Sequence, residues 1–133
     1  MTVQAFSFTK IEVKDIAAAQ AFYTAALGLE VVGRVNFGEG ERLMHEVILA
    51  LPGSRPPAPN LIIISYPNAT CPTPGEATTG FMVADLDAAL ARATAAGATI
   101  DIPATDVPDH GLRLAFILDP LGHRIELLQQ ISA

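Results

Sequence analysis

The fold turns on residues 6–28, FSFTKIEVKDIAAAQAFYTAALG, and on their echo at residues 79–97, TGFMVADLDAALARATAAG. In the first stretch an alternating segment, Phe6 to Val13, has the period of a strand. Asp15 then stands where a helix N-cap belongs, and Gly28 closes an Ala-rich run as a C-terminal glycine should. Ile16, Ala19, Tyr23, Ala26 and Leu27 share one face of that helix. In the second stretch Asp85 takes the place of Asp15, Gly97 that of Gly28, and Leu86, Ala89, Leu90 and Ala93 form the apolar face. Val13 and Val83, like Asp15 and Asp85, lie 70 residues apart, and the two glycines lie 69 apart. A repeat of that length is too long for a solenoid unit and indicates two fused copies of one module.

Working outward, strands are expected at about 30–36, 44–51 and 60–66 after the first helix. After the second they are expected at about 99–102, 112–118 and 124–129, with turns at GEGE, GSRPPAP and DPLG. Each module is then βαβββ. The predicted fold is α+β, two paired βαβββ modules whose mixed sheets curl around a cleft. The whole chain forms one domain, with module one at about 1–66, a Pro-rich linker at about 67–78 and module two at about 79–133.

The 133 residues are half apolar and only 17% charged, which suits a compact domain with a sizeable core. A formal charge of −6, with eight Lys and Arg spread along the chain, argues against nucleic acid or an anionic membrane as partner. No apolar run approaches a bilayer span. A lone cysteine, Cys71, and the absence of a charged-then-apolar leader pattern lead to the expectation of a cytoplasmic protein.

The chain resembles the vicinal oxygen chelate superfamily of glyoxalase I, extradiol dioxygenases, fosfomycin resistance enzymes and bleomycin-binding proteins. Val13-Lys14-Asp15, Phe22-Tyr23 and Leu27-Gly28-Leu29-Glu30-Val31 carry the resemblance in the first module. Val83-Ala84-Asp85-Leu86 and Asp119-Pro120-Leu121-Gly122-His123-Arg124-Ile125-Glu126-Leu127 carry it in the second. Enzymes of that superfamily hold a divalent metal on four strand positions filled by His, Gln or Glu. The resemblance assigns those positions here to Phe8, a residue near Leu49, Thr79 and Glu126. Only Glu126 is a metal-ligating type, so no metal or other cofactor is expected.

If the resemblance fixes the inward face, alternation brings further residues with it. Phe8 brings Lys10 and Glu12; Leu49 brings His45; Thr79 brings Phe81. Leu114 and Phe116 come from the seventh strand. His110, in the loop DVPDHG, is expected at the pocket mouth and His123 in an exposed turn. An apolar pocket with few polar groups suits a hydrophobic or aromatic small molecule. The expected activity is a metal-independent isomerase or lyase reaction, with Glu126 moving a proton and Lys10 or His45 meeting the developing oxyanion. Two alternatives stay open: a drug- or metabolite-sequestering protein, and a metal enzyme with relocated ligands such as His45, Glu126 and His110 or His123. As many members of that superfamily do, the chain is expected to form a homodimer. The bland readings are a solvated or paired Glu126, a half-exposed strand histidine at 45, a Lys10–Glu12 pair and an incidental Cys71.

Overall fold

The computed structural model describes residues 2–131. It has two compact units, divided between Pro72 and Thr73 except that Ala25–Leu27 group with the second. Each is a βαβββ module with a four-stranded mixed sheet, as the repeat requires.

Unit one runs β1 (Phe8–Glu12), α1 (Ile16–Leu27), β2 (Glu30–Phe37), β3 (Met44–Ala50) and β4 (Asn60–Ser65), and its sheet order is β1-β4-β3-β2. The helix starts where it does because the Asp15 side chain accepts a hydrogen bond from the Ala18 N–H at 3.0 Å, satisfying one orphan donor of the first turn. It stops at Gly28, whose φ of 68° lies in the left-handed region that glycine enters without a Cβ penalty. Ala19, Phe22, Tyr23 and Ala26 are its buried residues, and the rings of Phe22 and Tyr23 meet edge to face at 5.1 Å.

Unit two repeats the order with β5 (Thr78–Met82), α2 (Leu86–Ala95), β6 (Thr99–Val107), β7 (Leu112–Leu118) and β8 (Arg124–Gln130), in the sheet order β5-β8-β7-β6. Asp85 caps α2 through the Ala88 N–H at 3.1 Å, and the expected face of Leu86, Ala89, Leu90 and Ala93 is buried. β6 is longer than the sequence suggests: it runs through Pro103 to Val107, with register shifts between Ile100 and Ile102 and between Ile102 and Thr105. An edge strand with bulges tolerates a proline that has no N–H to donate.

Pairing fixes which side chains share a sheet face, because cross-strand partners project to the same side. In sheet one, Ile11, Val47, Leu49 and Ile63 form one buried face. Arg34, the partner of Val47, donates to the Gln20 side chain of α1 at 2.8 Å, so this is the helix face. In sheet two Ile117, Ala115, Ile125 and Leu127 are fully buried on the equivalent face. There Gln129 accepts from the Leu86 N–H, and Arg113 pairs with Asp87 of α2.

Candidate functional site

The faces turned away from the helices carry the remaining polar chemistry. In sheet one that face holds Phe8, Lys10 and Glu12 from β1, Asn60, Ile62 and Ile64 from β4, and Glu46 and Ile48 from β3. The Lys10 ammonium forms an ion pair with the Glu46 carboxylate and lies 5.5 Å from the centroid of the Phe8 ring. Glu46 is only 6% exposed, so Lys10 is the group that makes its burial tolerable. Asn60 donates to the Ser7 and Ala58 carbonyls, both at 3.2 Å. The charge on this face is thus largely satisfied within the unit.

In sheet two the equivalent face holds Thr78, Gly80 and Met82 from β5, Arg124, Glu126 and Leu128 from β8, and Leu114, Phe116 and Leu118 from β7. Glu126 sits in register between Gly80 and Phe116 and is half-buried. No hydrogen bond or ion pair joins it to another described residue. Arg124, two residues away on the same face, is held elsewhere: its guanidinium stacks 4.4 Å from the Phe116 ring centroid and reaches Asp101 at 3.6 Å. Gly80 presents no side chain beside the carboxylate, and a Cβ there would meet only the Leu128 side chain at 3.9 Å. The result is a half-buried carboxylate with Gly80 and Phe116 as its cross-strand neighbours.

Several residues expected on these faces lie elsewhere. Leu49 and His45 share the parity of Val47 and belong to the helix side of sheet one, so Glu46 and Ile48 take the places expected of them. His45 is bonded through Nδ1 to Asn36 Oδ1 at 2.6 Å. Thr79 and Phe81 pair with Ile125 and Leu127 and so lie on the helix side of sheet two; the Glu126 face receives Thr78 and Gly80 instead. Lys10 pairs with Glu46. His110 is exposed at the end of a 3₁₀ turn, Pro108–His110, and the His123 backbone N–H closes a turn on the Asp119 side chain at 2.9 Å. Burial, followed by Glu12, raises the Cys71 thiol above its usual range, which opposes a nucleophilic role.

The register also locates the superfamily's four positions independently of counting through loops. Phe8 pairs with Asn60 and Lys10 with Ile62 in unit one; Thr78 pairs with Arg124 and Gly80 with Glu126 in unit two. The residue equivalent to Glu126 is therefore Ile62 on β4, not Leu49 on β3, and the equivalent of Phe8 is Thr78, not Thr79. The set becomes Phe8, Ile62, Thr78 and Glu126. One carboxylate, one hydroxyl and two hydrocarbon side chains do not fit a divalent cation, which needs several converging His, Asp, Glu or Cys donors. Among the described residues no cluster of three or more His, Cys, Asp or Glu side chains is placed to hold a metal ion.

Residues 5–127 match the model of the Glyoxalase/Bleomycin resistance protein/Dioxygenase superfamily, and the chain belongs to that superfamily. No curated protein matches it in sequence. Among solved structures it is similar to a glyoxalase family protein from Bacillus cereus, with a TM-score of 0.84 at 19% identity over 99% of this chain and 97% of that one. It is also similar to the trypanothione-dependent glyoxalase I of Leishmania major, with a TM-score of 0.73 at 23% identity over 96% and 88% of the two chains. A glyoxalase I variant from Zea mays gives 0.77 at 16% identity over 93% of this chain, which spans only 46% of that one. At these identities the likeness establishes the fold. Among the described residues no helix is long and apolar enough to cross a membrane.

Proposed function

We propose that this chain binds a hydrophobic or aromatic carbonyl metabolite and shifts a proton on it through Glu126, as an isomerase or lyase that does without the superfamily's usual metal. The observation that carries this reading is the partnerless Glu126 carboxylate between Gly80 and Phe116. A carboxylate free of ion pairs can reach a ligand, and the Phe116, Leu114 and Leu128 side chains offer the apolar body a surface. In the proposed step a carboxylate oxygen takes the proton from carbon next to the carbonyl. The C–H electron pair becomes the enolate, and the carboxylic acid then returns the proton to another carbon or assists departure of a leaving group.

The test is proton NMR in deuterium oxide with a panel of aromatic and aliphatic ketones and aldehydes. Exchange of the hydrogen next to the carbonyl is expected with the native chain and should be lost in Glu126→Gln. Exchange at an undiminished rate in that variant would remove the reading. A second reading, sequestration without turnover, is favoured by one specific observation: Arg124 is stacked on Phe116 and paired with Asp101, which leaves no free cation among the described residues of the Glu126 face to meet an enolate oxygen. Saturable binding of a panel member that depends on Glu126, with no exchange, would select it.

A further inference from the structure

We infer that the tip of the β2–β3 hairpin in unit one is a second small-molecule site, one that takes a zwitterion with an aromatic or apolar body. A pocket of about 420 Å³ opens there, lined by Phe37, Gly38, Glu39, Arg42, Met44 and Tyr66. That volume falls in the range of about 300–1,000 Å³ in which small-molecule sites occur.

The lining divides into two kinds of group. Phe37, Met44 and Tyr66 supply two aromatic rings and a polarisable thioether, which suit a ring or branched apolar body. Phe37 is 71% exposed, so its ring lies outside the core and is open to a ligand. Arg42 and Glu39 supply one charge of each sign, and neither forms an ion pair or side-chain hydrogen bond among the described residues. A guanidinium and a carboxylate left unpaired in one pocket match a ligand carrying a carboxylate and an ammonium group.

The pocket is also held in shape. Gly38 has φ of 82°, and a Cβ there would lie 2.5 Å from the Arg42 carbonyl oxygen, so only glycine allows the loop to fold back against Arg42. The Asn68 side chain donates to the Gly40 carbonyl at 2.9 Å, tying the hairpin tip to the segment after β4. The 3₁₀ turn Gly40–Arg42 is closed by the Leu43 N–H on the Gly40 carbonyl.

Isothermal titration calorimetry on the full chain tests this with phenylalanine, 3-phenylpropionate and 2-phenylethylamine. Phenylalanine should bind saturably, and each singly charged analogue should bind about tenfold more weakly, the loss expected from one missing charge-assisted hydrogen bond. Both charged residues lie at the surface, so Arg42→Gln and Glu39→Gln should fold normally and each weaken phenylalanine by about the same factor. Glu126→Gln should leave this binding unchanged, which separates the site from the proposed reaction. No saturable binding of any of the three, binding unaffected by both pocket substitutions, equal binding of all three probes, or binding lost in Glu126→Gln would each overturn the assignment.

Discussion

The two units are copies of one architecture that solve the problem of charge on a sheet face in opposite ways. By register, Lys10 corresponds to Gly80, Ile62 to Glu126, Glu46 to Leu114 and Ile48 to Phe116. Unit one places a cation and an anion on β1 and β3 and joins them, leaving an aliphatic residue on β4. At the matching positions unit two has Gly80 on β5, an aliphatic residue on β7, and a carboxylate on β4's counterpart, β8. The paired charges of unit one bear on stability, whereas in unit two Arg124 is held by Asp101 and Phe116 and the Glu126 carboxylate has no ion-pair partner among the described residues.

The sharpest way to break that comparison is to neutralise each carboxylate-bearing system in turn. Glu126→Gln should lower turnover of a cognate substrate by about 10²- to 10⁴-fold, the span that a general acid or base contributes. In the same variant thermal or denaturant unfolding should move by no more than about 0.5 kcal/mol, since no partner is left behind. Lys10→Met should do the reverse. It strands the buried Glu46 carboxylate and should cost about 2–3 kcal/mol of unfolding free energy, below the figure for a wholly buried pair because Lys10 is 39% exposed. Replacing both, as Lys10→Met with Glu46→Leu, should recover most of that loss. A Lys10→Met chain as stable as the native one would show that the pair does not carry the burial of Glu46.

Smaller effects sharpen the likeness between the units. Gly28 and Gly97 both have positive φ, yet a Cβ at Gly28 meets nothing within 4 Å while one at Gly97 would lie 3.2 Å from Pro120. Gly28→Ala should therefore cost about 1 kcal/mol from backbone strain alone, and Gly97→Ala more. The helix caps are nearly identical in geometry, so Asp15→Ala and Asp85→Ala should each cost about 1 kcal/mol in urea unfolding. A large inequality between the two caps would mean that the repeat is less regular in energy than in shape.

The repeat itself was legible because its signals are local. Asp15 and Asp85 announce helix starts, Gly28 and Gly97 their ends, and the offset of 70 residues between capping aspartates reveals the second copy. Strand parity was not legible in β3, where Met44-His45-Glu46-Val47-Ile48-Leu49-Ala50 is apolar on both faces and holds a buried Glu46, so no alternation marks the inward side. His45 and Leu49 were misplaced for that reason. In β5 the same slip moved Thr79 and Phe81, and here the sequence did contain the remedy: the offset of 70 carries Phe8 to Thr78. β6 escaped because Pro103 reads as a strand end, which a bulged edge strand overrides. The hairpin-tip pocket gave no signal, since Phe37, Arg42 and Tyr66 converge only through the loop and register that bring them together.

The central claim is that Phe8, Ile62, Thr78 and Glu126, with one carboxylate among them, do not make a divalent-cation site. Calorimetric titration of chelator-treated protein with zinc, nickel and manganese ions tests it most directly. The account predicts no saturable binding at one ion per chain. One tightly held ion per chain, lost on Glu126→Gln, would contradict it.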